Sequence, residues 1–202
     1  MNREIIRLKC VLLGDENTGK SSLLKRFVDN KFTEKSVTTV GCAFNSKKLK
    51  INEVDVSLDI WDTAGQEKYR SLLPMYYKNA KIVLLCLDLS RETNNLQETV
   101  KYWFEQLNNN CEIEEREVFF VGTKSDIKID SVVDKINRIK NTYKNIIYVE
   151  TSAKEGININ YLFDYASEQI IKKMTPVIIN VEQTLILEDL EAQSSCGKCN
   201  IV

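Results

Sequence analysis

The stretch Val11-Leu12-Leu13-Gly14-Asp15-Glu16-Asn17-Thr18-Gly19-Lys20-Ser21-Ser22-Leu23 decides the fold. Its apolar run stops at Gly14, and Gly14 to Ser21 satisfies G-x-x-x-x-G-K-S just where a helical pattern, Lys20 to Asp29, begins. A strand that turns through glycine into a helix is the context in which this motif wraps a phosphate. Backbone N–H groups of Asn17 to Lys20 surround a β-phosphate in such a loop, aided by the helix dipole, while Lys20 sets a point charge between β- and γ-phosphates. Asp15, Glu16, Thr18, Gly19 and Ser22 join the same nucleotide-binding set, and the Ser21 hydroxyl is a magnesium ligand. A plain glycine turn accounts for Gly14 and Gly19 but not for Lys-Ser at this spacing.

Outward from the loop, strand-like runs recur at Leu8 to Leu13, Val54 to Trp61, Ile82 to Leu87, Val118 to Val121 and Ile146 to Val149. They are mostly continuous and apolar, as in sheets buried on both faces. Helical stretches at Lys20 to Asp29, Glu67 to Lys78, Glu92 to Asn108, Ser131 to Thr142 and Asn158 to Lys173 alternate with them. Phe44 to Ile51 and Val54 to Trp61 meet at the short turn Asn52-Glu53, which predicts one antiparallel strand at a sheet edge. The expected fold is α/β: a single P-loop domain over residues 1–174, with a six-stranded, mostly parallel sheet and about five flanking helices. The pattern breaks at Pro176, and 175–202 reads as a flexible tail.

Composition narrows the chemistry. The chain has no histidine, which removes imidazole triads, proton shuttles and imidazole metal sites. With 28 basic and 29 acidic residues there is no global field to draw it to nucleic acid. Cys10 and Cys86 sit inside apolar runs as buried small hydrophobes, and the cysteine usage fits a reducing compartment. Arg3, Glu4, Arg7 and Lys9 leave no apolar signal stretch.

A phosphate loop alone also suits a kinase or an ATPase, and Asp59-Ile60-Trp61-Asp62-Thr63-Ala64-Gly65-Gln66 selects GTP hydrolysis instead. Asp62, at a strand end, holds Mg²⁺, and Gly65 offers its N–H to the γ-phosphate without a side chain in the way. The Gln66 amide orients the attacking water, so Gln66 and Lys20 are the catalytic candidates. Between the two motifs, Phe32 to Gly41 is polar, β-branched and aperiodic. Within it Thr39 is the third metal candidate, and Phe32 either covers a nucleobase face or joins the core. Two further strand ends carry Thr123-Lys124-Ser125-Asp126 and Thr151-Ser152-Ala153-Lys154. Asp126 accepts two hydrogen bonds from guanine that adenine cannot donate, Lys124 lies along the ring, and the Ala153 N–H meets the guanine oxygen.

Together these segments resemble the Ras superfamily of small GTPases, with matching spacing through about residue 173. Thr39 to Phe44, Ser57 to Trp61, Lys68 to Leu72, Tyr76 to Ala80 and Leu85 to Leu89 look like the five Rab signatures. The resemblance implies a monomeric GDP/GTP switch in vesicle traffic on the cytoplasmic face of an intracellular membrane, cycling with the cytosol. It also implies an exchange factor, a GTPase-activating protein, a prenyl-carrier protein and effectors. Phe44, Trp61 and Tyr76 become the effector-facing patch, with ordinary packing as the alternative. Gly41 to Phe44 and Tyr69 to Ala80 resemble endocytic members most.

Two positions depart from the family pattern. Thr123 stands where an asparagine amide normally contacts the base and ties the pocket to the phosphate loop, which predicts weaker nucleotide affinity and faster exchange. Glu16 stands where small residues are common. Pointing inward it obstructs an activating arginine, and pointing to solvent it does little. Cys199-Asn200-Ile201-Val202 fits C-a-a-X, for which the resemblance favours geranylgeranyl. With one base, Lys198, against four acids, the tail lacks polybasic help, so Cys196 is the expected second lipid site. Two other classes stay open: a nucleotide-bound scaffold that does not hydrolyse, and a P-loop ATPase or kinase.

Overall fold

In a computed structural model, residues 5–34, 38–65, 73–92, 95–110, 116–143 and 146–174 are described. The strands are β1 (Ile6–Leu13), β2 (Cys42–Ile51), β3 (Val54–Thr63), β4 (Ile82–Asp88), β5 (Glu117–Thr123) and β6 (Ile147–Glu150). The helices are α1 (Lys20–Asp29), α2 (Leu73–Tyr77), α3 (Leu96–Asn110), α4 (Asp130–Lys140) and α5 (159–174). One sheet runs β2-β3-β1-β4-β5-β6, and only the β2–β3 pair is antiparallel. The α/β expectation therefore holds, edge strand included.

The continuous apolar runs follow from burial on both faces, with a period of two hidden inside them. Leu8, Cys10 and Leu12 point to one face with Leu23 and Phe27 of α1 and Phe163 of α5, while Val11 and Leu13 join Val100 and Trp103 of α3 on the other. Strand β4 divides the same way, Ile82, Leu84 and Cys86 against Val83, Leu85 and Leu87. Phe27 stacks on Phe163 with centroids 3.9 Å apart, clamping α1 to α5 beneath the phosphate loop. Each fully buried side chain of this size contributes ~1.5–3 kcal/mol.

The turn at Asn52-Glu53 is a primed hairpin turn, with φ of 47° and 67°, and matches the strand twist. Helix α1 keeps its expected bounds because Asn30, at φ 53°, turns left-handed and donates its N–H to the Arg26 carbonyl. Helix α3 starts at Leu96 rather than near Glu92, whose carboxylate is committed to Ser131 and Lys135 on α4. Helix α2 is described over Leu73–Tyr77, inside the expected Glu67 to Lys78, and ends before Asn79, which adopts φ 60°; residues 66–72 lie outside the described residues. The tail 175–202 lies outside them as well. Because β1, β3, β4, β5 and β6 are parallel, their C-terminal ends share one edge of the sheet, and the motif residues lie there.

Candidate functional site

The phosphate loop leaves β1 at Gly14, where φ is 133° and an added Cβ would lie 2.4 Å from the Cys86 carbonyl oxygen. Only glycine fits so close to β4. Helix α1 then begins at Lys20 behind Gly19, which sits at φ 85°. The Lys20 ammonium turns back into the loop and donates to the carbonyls of Gly14 at 2.8 Å and Asp15 at 2.7 Å. Lys20 is buried, and burial lowers its pKa below 10.5. Ammonium and helix N-terminus together make a positive, phosphate-sized cradle.

Three oxygen donors converge beside it. The Ser21 hydroxyl lies 2.7 Å from that of Thr39 and donates to Asp62 Oδ2 at 2.5 Å, and Thr39 Oγ1 stands 3.4 Å from the same oxygen. These residues come from α1, the segment before β2, and the end of β3. Burial raises the Asp62 pKa, and its Oδ1 is buried with no hydrogen-bond partner. A cluster of hydroxyl and carboxylate oxygens with an orphaned carboxylate oxygen is a donor set that fits a hard cation such as Mg²⁺. Gly65 passes so near the loop that a Cβ there would come within 2.4 Å of Asp15 C and Glu16 N. Glu16, Lys20, Ser21, Thr39 and Gly65 line a cavity of about 40 Å³. Gln66 lies outside the described residues.

A larger cavity of about 360 Å³ opens alongside, and Asn17, Gly19 and Ser22 border it on the loop side. Phe32, Thr123, Lys124, Asp126, Ala153 and Lys154 form the remainder of its wall, so Phe32 is a pocket residue here rather than a core one. Lys124 adopts φ 58° and sends its ammonium 2.7 Å from Asp88 Oδ2, which leaves its stem along the cavity. Ser152, fully buried, donates to Asp126 Oδ1 at 2.6 Å while accepting the Glu155 N–H at 3.1 Å, so the acid is oriented by the next loop.

Thr123 behaves differently from the sequence expectation in one respect. Its hydroxyl donates to the Thr18 carbonyl at 2.6 Å, with the Leu87 carbonyl at 3.1 Å, and the residue is buried against Gly19. The link from base loop to phosphate loop thus survives without an amide; an amide donor for the base does not. A residue missed in the sequence also supports this pocket. Arg26 of α1 donates from Nε to the Ala153 carbonyl at 2.6 Å and from Nη2 to the Lys154 carbonyl at 2.8 Å, fixing a loop 127 residues away. Nothing local distinguishes Arg26 from a solvated helix arginine.

Phe44, Trp61 and Tyr76 meet on the outer face, with centroids 5.1 Å apart for Phe44–Trp61 and 5.8 Å for Trp61–Tyr76. Phe44, Val40 and Met75 stay exposed, and the Lys9 ammonium lies 5.2 Å from the Trp61 ring. Cys196 and Cys199 lie outside the described residues.

Comparison with known proteins agrees with this edge-on site. The Ras family matches over residues 9–172. The ras-related Rab-5B of Dictyostelium discoideum is 39% identical over 81% of this chain and 75% of its own length. The GTP-binding protein ypt5 of Schizosaccharomyces pombe is 38% identical over 82% of this chain and 78% of its own. The ras-related protein SEC4 of Saccharomyces cerevisiae is 35% identical over 83% and 76%. With a family match across most of the chain and Rab relatives aligned over three quarters of their length, the chain belongs to the Ras family: it is a Rab-type small GTPase, binding GTP and GDP and regulating vesicle trafficking.

Proposed function

We propose that the chain is a slow, magnesium-dependent GTP switch that recruits effectors to an intracellular membrane, of endosomal type, and depends on activating and exchange proteins in trans. The observation that carries this reading is the convergence of Ser21, Thr39 and Asp62 beside the smaller cavity that Lys20 lines, which shares Asn17, Gly19 and Ser22 with the larger cavity walled by Asp126 and Lys124. Ser21, Thr39 and Asp62 hold Mg²⁺, which when bound neutralises charge on the β- and γ-phosphates. Lys20 binds the same phosphates, Gly65 donates its N–H to the γ-phosphate, Gln66 orients water, and Asp126 reads guanine. Because Thr39 belongs to the segment before β2 and Asp62 to the end of β3, the γ-phosphate state couples to Phe44, Trp61 and Tyr76 through β2 and β3. Cys199 carries a prenyl group and Cys196 a second lipid, with a prenyl-carrier protein needed in the cytosol.

Single-turnover hydrolysis of bound GTP, with and without magnesium, tests the reading: slow turnover that chelation abolishes is expected. Absent turnover with nucleotide still bound would establish the second reading, a scaffold that does not hydrolyse. That alternative draws on Glu16, which borders the smaller cavity. An activating arginine is worth about 10³–10⁵ in rate, so Glu16→Ser leaving stimulated hydrolysis unchanged removes the idea that Glu16 obstructs it.

A further inference from the structure

Asp88 ends β4 and lies in the wall of neither cavity, yet its carboxylate touches groups that serve both. The side chain is only 3% exposed. Its Oδ1 accepts the Ser90 N–H at 2.9 Å and the Ser90 hydroxyl at 2.7 Å. Its Oδ2 accepts the Lys124 ammonium at 2.7 Å and forms an ion pair with Arg91 Nε at 3.2 Å. Arg91 continues the chain, donating from Nη2 to the Glu16 carbonyl at 3.1 Å. One buried acid therefore joins the outer phosphate loop, through Arg91, to the lysine along the base cavity. A buried carboxylate with two cations and two hydroxyl or amide donors is fully satisfied, and removing its charge releases both basic side chains, which are part-exposed, from a common anchor.

We propose that Asp88 is a positioning residue: with Arg91 and Lys124 it clamps the phosphate loop to the base loop and sets how fast guanine nucleotide leaves. The inference rests on the guanine-nucleotide reading above. A nucleotide that bridges two loops leaves when those loops part around it, so a brace that holds their spacing in the bound state slows release. The Thr123–Thr18 hydrogen bond is one such brace, deep in the pocket. The Asp88 clamp is a second, at the outer side, and the two act on opposite ends of the Glu16 to Thr18 segment.

The test is dissociation and association of a fluorescent GDP analogue from the full chain in excess magnesium. Asp88→Asn is expected to speed release about tenfold, the scale of a lost charge-assisted contact, and the more exposed Arg91→Gln about threefold. The double variant is expected to be no faster than Asp88→Asn alone, since both cut one route. Association rates should stay at the wild-type value, whereas general loss of fold would lower them together with the melting temperature. Glu92→Gln, which breaks the adjacent Lys135 and Ser131 contacts, serves as a control with unchanged release. Wild-type release rates in Asp88→Asn and Arg91→Gln, effects that multiply in the double variant, or equal acceleration by Glu92→Gln would overturn the clamp. If Asp88→Asn does not fold, Arg91→Gln on its own decides the question. A wild-type chain that retains no GDP would overturn the underlying reading and the clamp with it; retention by wild type with unaltered variants overturns the clamp alone.

Discussion

The base end and the phosphate end of the site are built in opposite ways. At the base end, groups in the wall are held from outside it: Ala153 and Lys154 by Arg26, Asp126 by Ser152, Lys124 by Asp88. The result is a standing cavity of about 360 Å³. At the phosphate end the functional groups hold one another, Lys20 on the carbonyls of its own loop and Ser21 and Thr39 on each other and on Asp62, beside a cavity of about 40 Å³. Binding at the base end fills prearranged space. On the function proposed above, binding at the phosphate end exchanges protein–protein hydrogen bonds for contacts to phosphate and cation. On that proposal, state dependence belongs to the end where contacts must change partners, and base selection to the end where they need not.

Lys20→Met breaks the phosphate end hardest. The lost ammonium should lower affinity for a fluorescent GDP analogue about 100-fold or more, the range expected for removing a buried charge on phosphate. Yet the nucleotide-free protein should melt no lower, since burial already disfavours the charged lysine. A melting temperature that falls along with affinity would mean that the phosphate end is as firmly braced as the base end. Gly65→Ala comes next: its Cβ meets the loop backbone, and GTP affinity should fall about tenfold more than GDP affinity, as expected of a strained contact at the γ-phosphate side. Equal losses for the two nucleotides would place the strain elsewhere. Thr123→Val removes the brace while keeping the shape. GDP release should rise about fivefold, the scale of a buried carbonyl left unpaired. Thr123→Asn is the complementary probe. Slower release than wild type is expected, and an unchanged rate would show that the hydroxyl already replaces the amide.

The sequence was informative where a residue acts on its own neighbours. Gly14, Gly19, Lys20 and Ser21 lie in one loop, and the apolar strands, covered on both faces, declare themselves by hydrophobicity alone. The hairpin was legible from two residues, Asn52 and Glu53. What stayed hidden acts across the fold. Arg26 and Arg91 donate to main-chain carbonyls that any residue type could present, so neither leaves a partner signal in the sequence. In the sequence Thr123 shows only a missing amide, because side-chain chemistry is visible there and the distance to the Thr18 carbonyl is not. The late start of α3 has the same origin, a Glu92 carboxylate held by α4.

The smallest effect separates the two ends by the sign of their pH dependence. Burial alone would raise the Asp88 pKa, but hydrogen bonds from Lys124 and Ser90 outweigh it and hold the carboxyl below 3.8. Its folded value is depressed, so its contribution to stability is complete above 3.8 and is lost as pH falls through the folded pKa. Asp62 runs the other way. Burial dominates there, the folded pKa is raised above 3.8, and the ionised form works against the fold as pH rises through that value. In nucleotide-free protein without magnesium, Asp88→Asn should therefore cost on the order of 1 kcal/mol at neutral pH, with the difference from wild type shrinking once the pH drops below 3.8. Asp62→Asn should match or exceed wild type at neutral pH and lose that advantage in acid. Denaturant unfolding across pH measures both. If the two curves move in the same direction, the carboxylate at the phosphate end is as well compensated by its neighbours as the one that braces the base end, and the contrast between the two ends fails at its most charged groups.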